Sequence, residues 1–119
     1  MAHIYTSYFA NSHNFPADAL TIGITRFPPK DWKGINFINL APSEKLLRQY
    51  KNKEIDEYIF RILYLRELNS KFSNEEILAT LKALSNKDII LCCYEKPTDF
   101  CHRHILAEWL GDNINEYEK

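Results

Sequence analysis

The residues best equipped for chemistry lie close together near the carboxyl end of the chain, in residues 91–103. A carboxylate such as Glu95 can move protons, and a thiolate such as Cys101 can attack an electrophile. The guanidinium of Arg103 can donate two parallel hydrogen bonds to a phosphate or a carboxylate, and the imidazole of His102 can hydrogen-bond a ligand. We therefore take Glu95 and Cys101 as candidate catalytic residues, and His102 and Arg103 as candidate ligand-binding residues.

The spacing around these residues predicts a helix over about residues 100–110, ending at Gly111. His102 falls in the middle of the apolar face of this helix, whereas His104 is expected to point toward water. Free backbone N–H groups and the positive helix end favour anions in the first turn. The same position can lower the pKa of a cysteine, which makes Cys101 a candidate nucleophile.

Each of these residues also has a structural interpretation. Glu95 could pair with an arginine instead of acting as an acid or base. Adjacent cysteines on a strand point to opposite faces, so Cys92 and Cys93 are expected to pack in the core. The cysteines and histidines do not follow the spacing of known zinc motifs, and we predict no metal site from them.

The elements that must position these residues alternate between strand and helix patterns. Residues 88–94 are nearly all apolar, as in a parallel strand buried on both faces. Ser43 is a candidate N-cap, and Ser73 with Glu76 forms a capping box. The remaining predicted segments are strands at 3–9, 19–25 and 114–118, an irregular stretch at 30–41, and helices at about 43–50, 51–68 and 73–86. Together they predict one domain over residues 1–119. We expect an α/β fold: a small three-layer domain with a mainly parallel, Rossmann-like sheet of about four strands and three to four helices.

In a parallel sheet, ligands bind outside the carboxyl ends of the strands. Tyr5, Ser7 and Tyr8 are expected to follow the first strand, and Arg26 follows the second. We take these four as further ligand-binding candidates. Two prolines after Arg26 stiffen the strand exit and would hold its guanidinium near the sheet end. The aromatic residues of these segments either stack on a nucleobase or fill the core. They are Tyr5, Tyr8, Phe27 and Trp32.

The composition of the chain argues against several classes of function. A formal net charge of −1 gives no support to general nucleic-acid binding. The chain has only three glycines, and neither standard phosphate-cradling loop occurs. No secretory signal or membrane-spanning stretch is apparent, and three cysteines make a poor disulfide framework. We expect reduced thiols in a cytoplasmic protein without a membrane partner, and leave the oligomeric state open.

Beyond these patterns, the chain resembles the domain-of-unknown-function-488 family, in its short phage and bacterial branch. Residues 91–97, Leu-Cys-Cys-Tyr-Glu-Lys-Pro, and 99–104, Asp-Phe-Cys-His-Arg-His, resemble the closing signature of the family. Residues 4–11 resemble its opening, and residues 25–30 its Ser-Arg-x-Pro-Pro segment. The resemblance implies a compact α/β domain and carries no assigned activity. This chain departs from the branch at Thr25, in place of serine, and at Ile62, in place of a second tyrosine after Tyr58.

These observations favour a site for a small molecule, anionic and nucleotide-like or nucleobase-like, with hydrolase or transferase chemistry as the reaction class. Two alternatives stay open. The domain could bind or sequester a nucleotide or nucleic acid without catalysis, or it could use Cys101 for thiol chemistry or as part of a metal site. Whether the protein is an enzyme, and with which cofactor, the sequence does not decide.

Overall fold

A computed structural model of the chain describes residues 3–32, 34–95, 100–111 and 113–117. Within these residues, the chain forms five strands and four α-helices. The strands are β1 Ile4–Tyr8, β2 Leu20–Gly23, β3 Ile35–Asn36, β4 Ile89–Cys93 and β5 Asn115–Glu116. The α-helices are α1 Glu44–Lys51, α2 Glu57–Lys71, α3 Asn74–Leu84 and α4 His102–Leu110, and two short 3-10 helices span Phe9–Asn14 and Ile38–Leu40.

All five strands run parallel, in the order β3-β2-β4-β1-β5. Tyr8 of β1 lies opposite Cys93 of β4, and Gly23 of β2 lies opposite Cys92. The carboxyl ends of the three central strands therefore meet at one edge of the sheet, which we call the carboxyl edge. This topology confirms the predicted α/β class with a parallel, Rossmann-like sheet.

The connections at the carboxyl edge diverge. The chain leaving β2 passes to β3 on one side of the sheet order, whereas the chain leaving β4 passes through α4 to β5 on the other side. Adjacent parallel strands whose connections leave in opposite directions form a topological switch point, where α/β proteins commonly bind ligands. Here the switch point lies between the ends of β2 and β4.

Strand β4 is the centre of the core, and all five of its residues are buried. Its apolar sequence suits this place, because a central parallel strand is covered on both faces. Apolar residues of the helices complete the core around it, with Leu68 from α2, Leu81 from α3 and Leu106 from α4 fully buried. Helix α4 also contacts β1 and β4, which brings its first turn to the carboxyl edge.

The helix starts follow the capping residues. The Ser43 side chain accepts a hydrogen bond from the Leu46 N–H, and Ser73 with Glu76 forms the predicted capping box. The second helix differs from the prediction, since it begins at Glu57 rather than near residue 51. The cause is local: Asp56 caps the helix by accepting from the Ile59 N–H, after a turn in which Lys53 has a φ of 62°.

Two strand predictions need correction. Strand β3 falls in the stretch predicted to be irregular; it has only two residues, and the Asn36 side chain holds it by hydrogen bonds to both backbone groups of Thr25. A strand of two residues is too short to show the alternation of apolar and polar residues that predicts a strand. Second, Tyr5, Ser7 and Tyr8 lie within β1 rather than after it.

None of the helices described here has the length and apolar character required to cross a membrane.

Because Leu91 is fully buried at the centre of β4, Leu91→Ala is expected to lower the free energy of unfolding by about 2–5 kcal/mol, from lost burial plus a cavity. Ile62→Ala on the exposed side of α2 serves as the control and should cost clearly less. Urea unfolding followed by circular dichroism measures both changes. Equal losses in the two variants would contradict the placement of β4 at the core.

Candidate functional site

The carboxyl edge brings together most of the residues singled out by the sequence. Tyr8 ends β1, Glu95 follows β4, and residues 101–103 open α4 beside them. Arg26 follows β2 on the same edge and is half-buried, with its Nε donating to the Pro42 carbonyl oxygen at 3.2 Å. Residues 96–99, between β4 and α4, fall outside the described residues.

Arg103 is fully buried, and its guanidinium is held by protein groups. Its Nε and Nη2 donate to the two carboxylate oxygens of Glu116 at 3.0 and 2.9 Å. Its Nη1 donates to the Cys93 sulfur at 3.0 Å and to the Glu95 carbonyl oxygen. Thr6 donates its hydroxyl to the same Glu116 carboxylate at 2.8 Å. The Arg103 guanidinium, which was predicted to bind a ligand anion, therefore joins α4 to β4 and β5 through hydrogen bonds, and Glu116 extends this network to Thr6 of β1.

Cys101 lies against Cys93, and the structure joins the two sulfurs in a disulfide. This differs from the reduced cysteines expected from the sequence. The pairing arises because the chain returns from β4 to begin α4 directly over the end of that strand, a juxtaposition that sequence spacing does not reveal. Cys92 faces the other side of the sheet, as predicted, and burial raises the pKa of its thiol to about 12. Its thiol stays protonated and belongs to the core.

His102 points inward, as the apolar face of α4 predicted. Its Nε2 lies 2.6 Å from the Ile24 carbonyl oxygen, which can only accept, so Nε2 carries the proton. Burial lowers the pKa of His102 to about 4 and keeps the ring neutral near neutral pH. The unprotonated Nδ1 then faces the Cys101 sulfur at 3.9 Å.

The described residues contain one group suited to holding a metal ion: Cys93, Cys101 and His102, with ligand atoms within 4.8 Å of one another. The sequence argument against a metal rested on the spacing of the cysteines and histidines, and on the adjacent Cys92 and Cys93 pointing to opposite faces of a strand. The fold instead joins one cysteine of that pair to two residues from the start of α4. Sequence spacing alone could not show this group, because it depends on where α4 docks.

His104 departs from its expected exposure. It is half-buried, and burial together with the Arg103 charge lowers the pKa of its ring. Its Nε2 has no hydrogen-bond partner within the part of the chain that the structure describes. With Cys101, Thr6 and Glu116 it lines a cavity of about 480 Å³ between α4 and β5. No sequence pattern indicates this cavity, since a strand of only two residues forms one wall.

Three other candidate residues lie within β1 and contact protein groups. Tyr5 sits near the amino end of the strand, with its ring 5.4 Å from that of Tyr117. Ser7 is fully buried, and its Oγ accepts a hydrogen bond from the Asn11 amide at 3.2 Å. Tyr8 lies nearer the edge, with its ring centroid 5.9 Å from the Arg103 guanidinium carbon. Of these three, only Tyr8 is at the carboxyl edge.

A cluster of four aromatic residues lies at the carboxyl edge. We call this cluster the aromatic ledge, and its members are Phe9, Phe27, Trp32 and Tyr94. The ring of Phe9 lies 4.8 Å from that of Trp32 and 5.2 Å from that of Tyr94. The Tyr94 hydroxyl donates to the Phe27 carbonyl oxygen. Tyr94 is 47% exposed and Phe27 63% exposed, so the ledge presents ring surface to solvent. Phe9 and Tyr94 were not among the sequence candidates; their positions directly after β1 and β4 are the signal that could have found them.

Glu116→Gln leaves the buried Arg103 charge without its ionic partner, and we expect a loss of about 3–5 kcal/mol in the free energy of unfolding. Glu108→Gln is the matched control. It removes a carboxylate from the exposed Arg61–Glu108 pair, which should cost less than about 1 kcal/mol. Chemical denaturation of both variants measures the difference, and comparable losses would show that Arg103 does not depend on Glu116.

Comparison with known proteins identifies the family of the chain. The model of a family described as "DUF488-N3a: Active DUF488-N3 subclade" matches residues 4–114. No curated protein and no solved structure matches the chain. The matched residues run from the start of β1 to the residue before β5 and include the carboxyl edge with the whole of α4. The chain therefore belongs to the DUF488 family.

Proposed function

We propose that this domain binds a nucleotide or nucleobase-like small molecule at the carboxyl edge, with the aromatic ledge as the stacking surface. The observation that carries the proposal is solvent-exposed aromatic surface at a topological switch point. Tyr94 and Phe27 expose about half or more of their area beside the ends of β4 and β2. Planar aromatic side chains stack on bases, and exposed apolar surface at such a place favours ligand binding.

Charge supports an anionic group on the ligand, with Arg26 as its partner. Arg26 directly precedes Phe27 of the aromatic ledge, so a guanidinium and a stacking surface are neighbours in the same segment. Arg103 is less suited to this role, because Glu116, Cys93 and Glu95 already accept from its guanidinium. A phosphate reaching Arg103 would have to displace the Glu116 carboxylate.

We further propose that the domain is an enzyme of the hydrolase or transferase class and that Glu95 is its acid or base. Glu95 is exposed and adjacent to Tyr94, which puts a carboxylate beside the stacking surface. General acid–base catalysis requires such a group within reach of the reacting bond. The description of the matching subclade as active supports catalysis over binding alone.

The two alternatives, sequestration without catalysis and thiol chemistry at Cys101, require different groups at the carboxyl edge. A domain that only sequesters a nucleotide needs the aromatic ledge but no acid or base. Thiol chemistry at Cys101 needs the bond to Cys93 opened first by a reductant, since a disulfide sulfur is no nucleophile. A cytoplasmic location, which we also propose, would supply such reducing conditions.

Tyr94→Ala is expected to weaken nucleotide binding about 5- to 150-fold, which corresponds to about 1–3 kcal/mol for one stacked base. Mass spectrometry of small molecules retained after native purification selects the probe. Calorimetry with that compound, and with a panel of nucleobases, nucleosides and nucleoside phosphates, measures affinity. Tyr58→Ala is the control, because Tyr58 is equally an exposed tyrosine but lies on α2. Equal affinities in wild type and Tyr94→Ala would overturn the stacking site.

Glu95→Gln separates enzyme from binding module. An enzyme should keep ligand affinity within a few-fold and lose about 10²–10⁴-fold in turnover, since the amide cannot transfer the proton. Glu54→Gln, at an exposed position before α2, should leave turnover unchanged. Chromatographic detection of products from the bound compound gives the rates. Wild-type protein that binds the compound without converting it would favour sequestration.

A further inference from the structure

We propose that the reduced protein binds one Zn²⁺ ion through Cys93 Sγ, Cys101 Sγ and His102 Nδ1. This site is separate from the aromatic ledge and does not depend on the proposed nucleotide function. The three ligand atoms lie within 4.8 Å of one another. A tetrahedral ion with Zn–S of about 2.3 Å and Zn–N of about 2.0 Å needs ligand atoms roughly 3.5–3.8 Å apart, so small side-chain adjustments suffice.

His102 is oriented as a metal-ligating histidine is. Such residues commonly donate their second ring N–H to a carboxylate or a backbone carbonyl, which fixes the tautomer and aims the other nitrogen at the metal. In this structure Nε2 donates to the Ile24 carbonyl oxygen, and Nδ1 faces the Cys101 sulfur at 3.9 Å. The orienting contact of a metal-ligating histidine is therefore present in the fold.

The surroundings favour thiolates over thiols. Arg103 donates to the Cys93 sulfur at 3.0 Å, and a cationic donor stabilises the negative form of sulfur. Cys101 occupies the N-cap position of α4, at the positive end of the helix dipole. Cys93, Cys101 and His102 are only 1%, 3% and 7% exposed, so the ligand set is shielded from bulk water.

The backbone spacing also suits an ion between the cysteines. Their Cα atoms are 7.6 Å apart, beyond the range of about 4.4–6.8 Å usual for disulfides. The oxidised pair seen here and the zinc-bound pair are alternative states, because each sulfur binds either the other sulfur or the metal. A reductant such as a phosphine supplies two electrons, and two protons from water complete the two thiols. Zn²⁺ then binds the two sulfurs and displaces those two protons.

The choice of Zn²⁺ follows from the ligand types. Two thiolates and one imidazole form the soft, mixed set that zinc prefers, and calcium or magnesium would need oxygen ligands. Three protein ligands with a fourth position for water or substrate is the pattern of catalytic zinc sites, whereas structural sites have four.

The test uses full-length protein, reduced with a phosphine, loaded with Zn²⁺ and passed through a desalting column. Elemental analysis should find about one zinc per chain, and Co²⁺ in its place should give thiolate-to-cobalt charge-transfer absorption. Cys93→Ser, Cys101→Ser and His102→Gln should each reduce the retained metal to background. Cys92→Ser and His104→Gln are the matched controls, because each lies within two positions of a proposed zinc-binding residue. Both variants should retain the metal.

A second measurement stays valid if a variant fails to fold. In the wild-type protein, Zn²⁺ should slow alkylation of Cys93 and Cys101, read by peptide mass spectrometry, and raise the melting temperature. Absence of stoichiometric zinc in the reduced wild type, or equal retention by all five variants, would overturn the proposal. Nucleotide binding is read separately, so failure of either proposal leaves the other standing.

Discussion

The buried ion pair of Arg103 and Glu116 is the interaction on which the rest of the carboxyl edge depends. A guanidinium with no solvent exposure is costly to bury, and only close hydrogen-bonded partners offset that cost. Here those partners come from different parts of the sheet: Glu116 from β5, Cys93 from the end of β4, and the Glu95 backbone just beyond it. One side chain of α4 therefore fixes where α4 starts and where β4 stops.

That placement explains how one short segment contributes residues to both of the sites proposed above. With α4 docked, its N-cap residue Cys101 and its first residue His102 face inward, toward Cys93 and the Ile24 carbonyl. Directly after β4, Tyr94 belongs to the aromatic ledge and the next residue, Glu95, is exposed. Cys93, Cys101 and His102 are buried, whereas the aromatic ledge is exposed. The two proposed sites share a scaffold and need not share a ligand.

Much of this arrangement was predictable from local pattern. The apolar run of β4 indicated a central parallel strand, and the caps at Ser43 and Ser73 marked helix starts correctly. The periodicity of α4 placed His102 inward. Each of these signals is local, because capping and amphipathicity operate within a few residues.

The rest depended on contacts between distant residues. The partner of Arg103 lies thirteen positions away on a strand of two residues. The pairing of Cys101 with Cys93 and the half-burial of His104 both follow from how α4 docks. Asn36 holds β3 to Thr25 through its side chain, which no alternation of apolar residues could indicate. Sequence pattern thus predicted residues that the fold gathers at the carboxyl edge, and tertiary packing decided which of them are exposed there and which are held by other protein groups.

The central claim is that ligand binds at the carboxyl edge, and amide chemical-shift mapping with the retained compound tests it most directly. Bound ligand should shift the amides of Phe9, Arg26, Phe27 and Tyr94, while those of Ile4 and Ile89 at the opposite edge stay unchanged. Shifts confined to the opposite edge, or to the cavity between α4 and β5, would contradict the account.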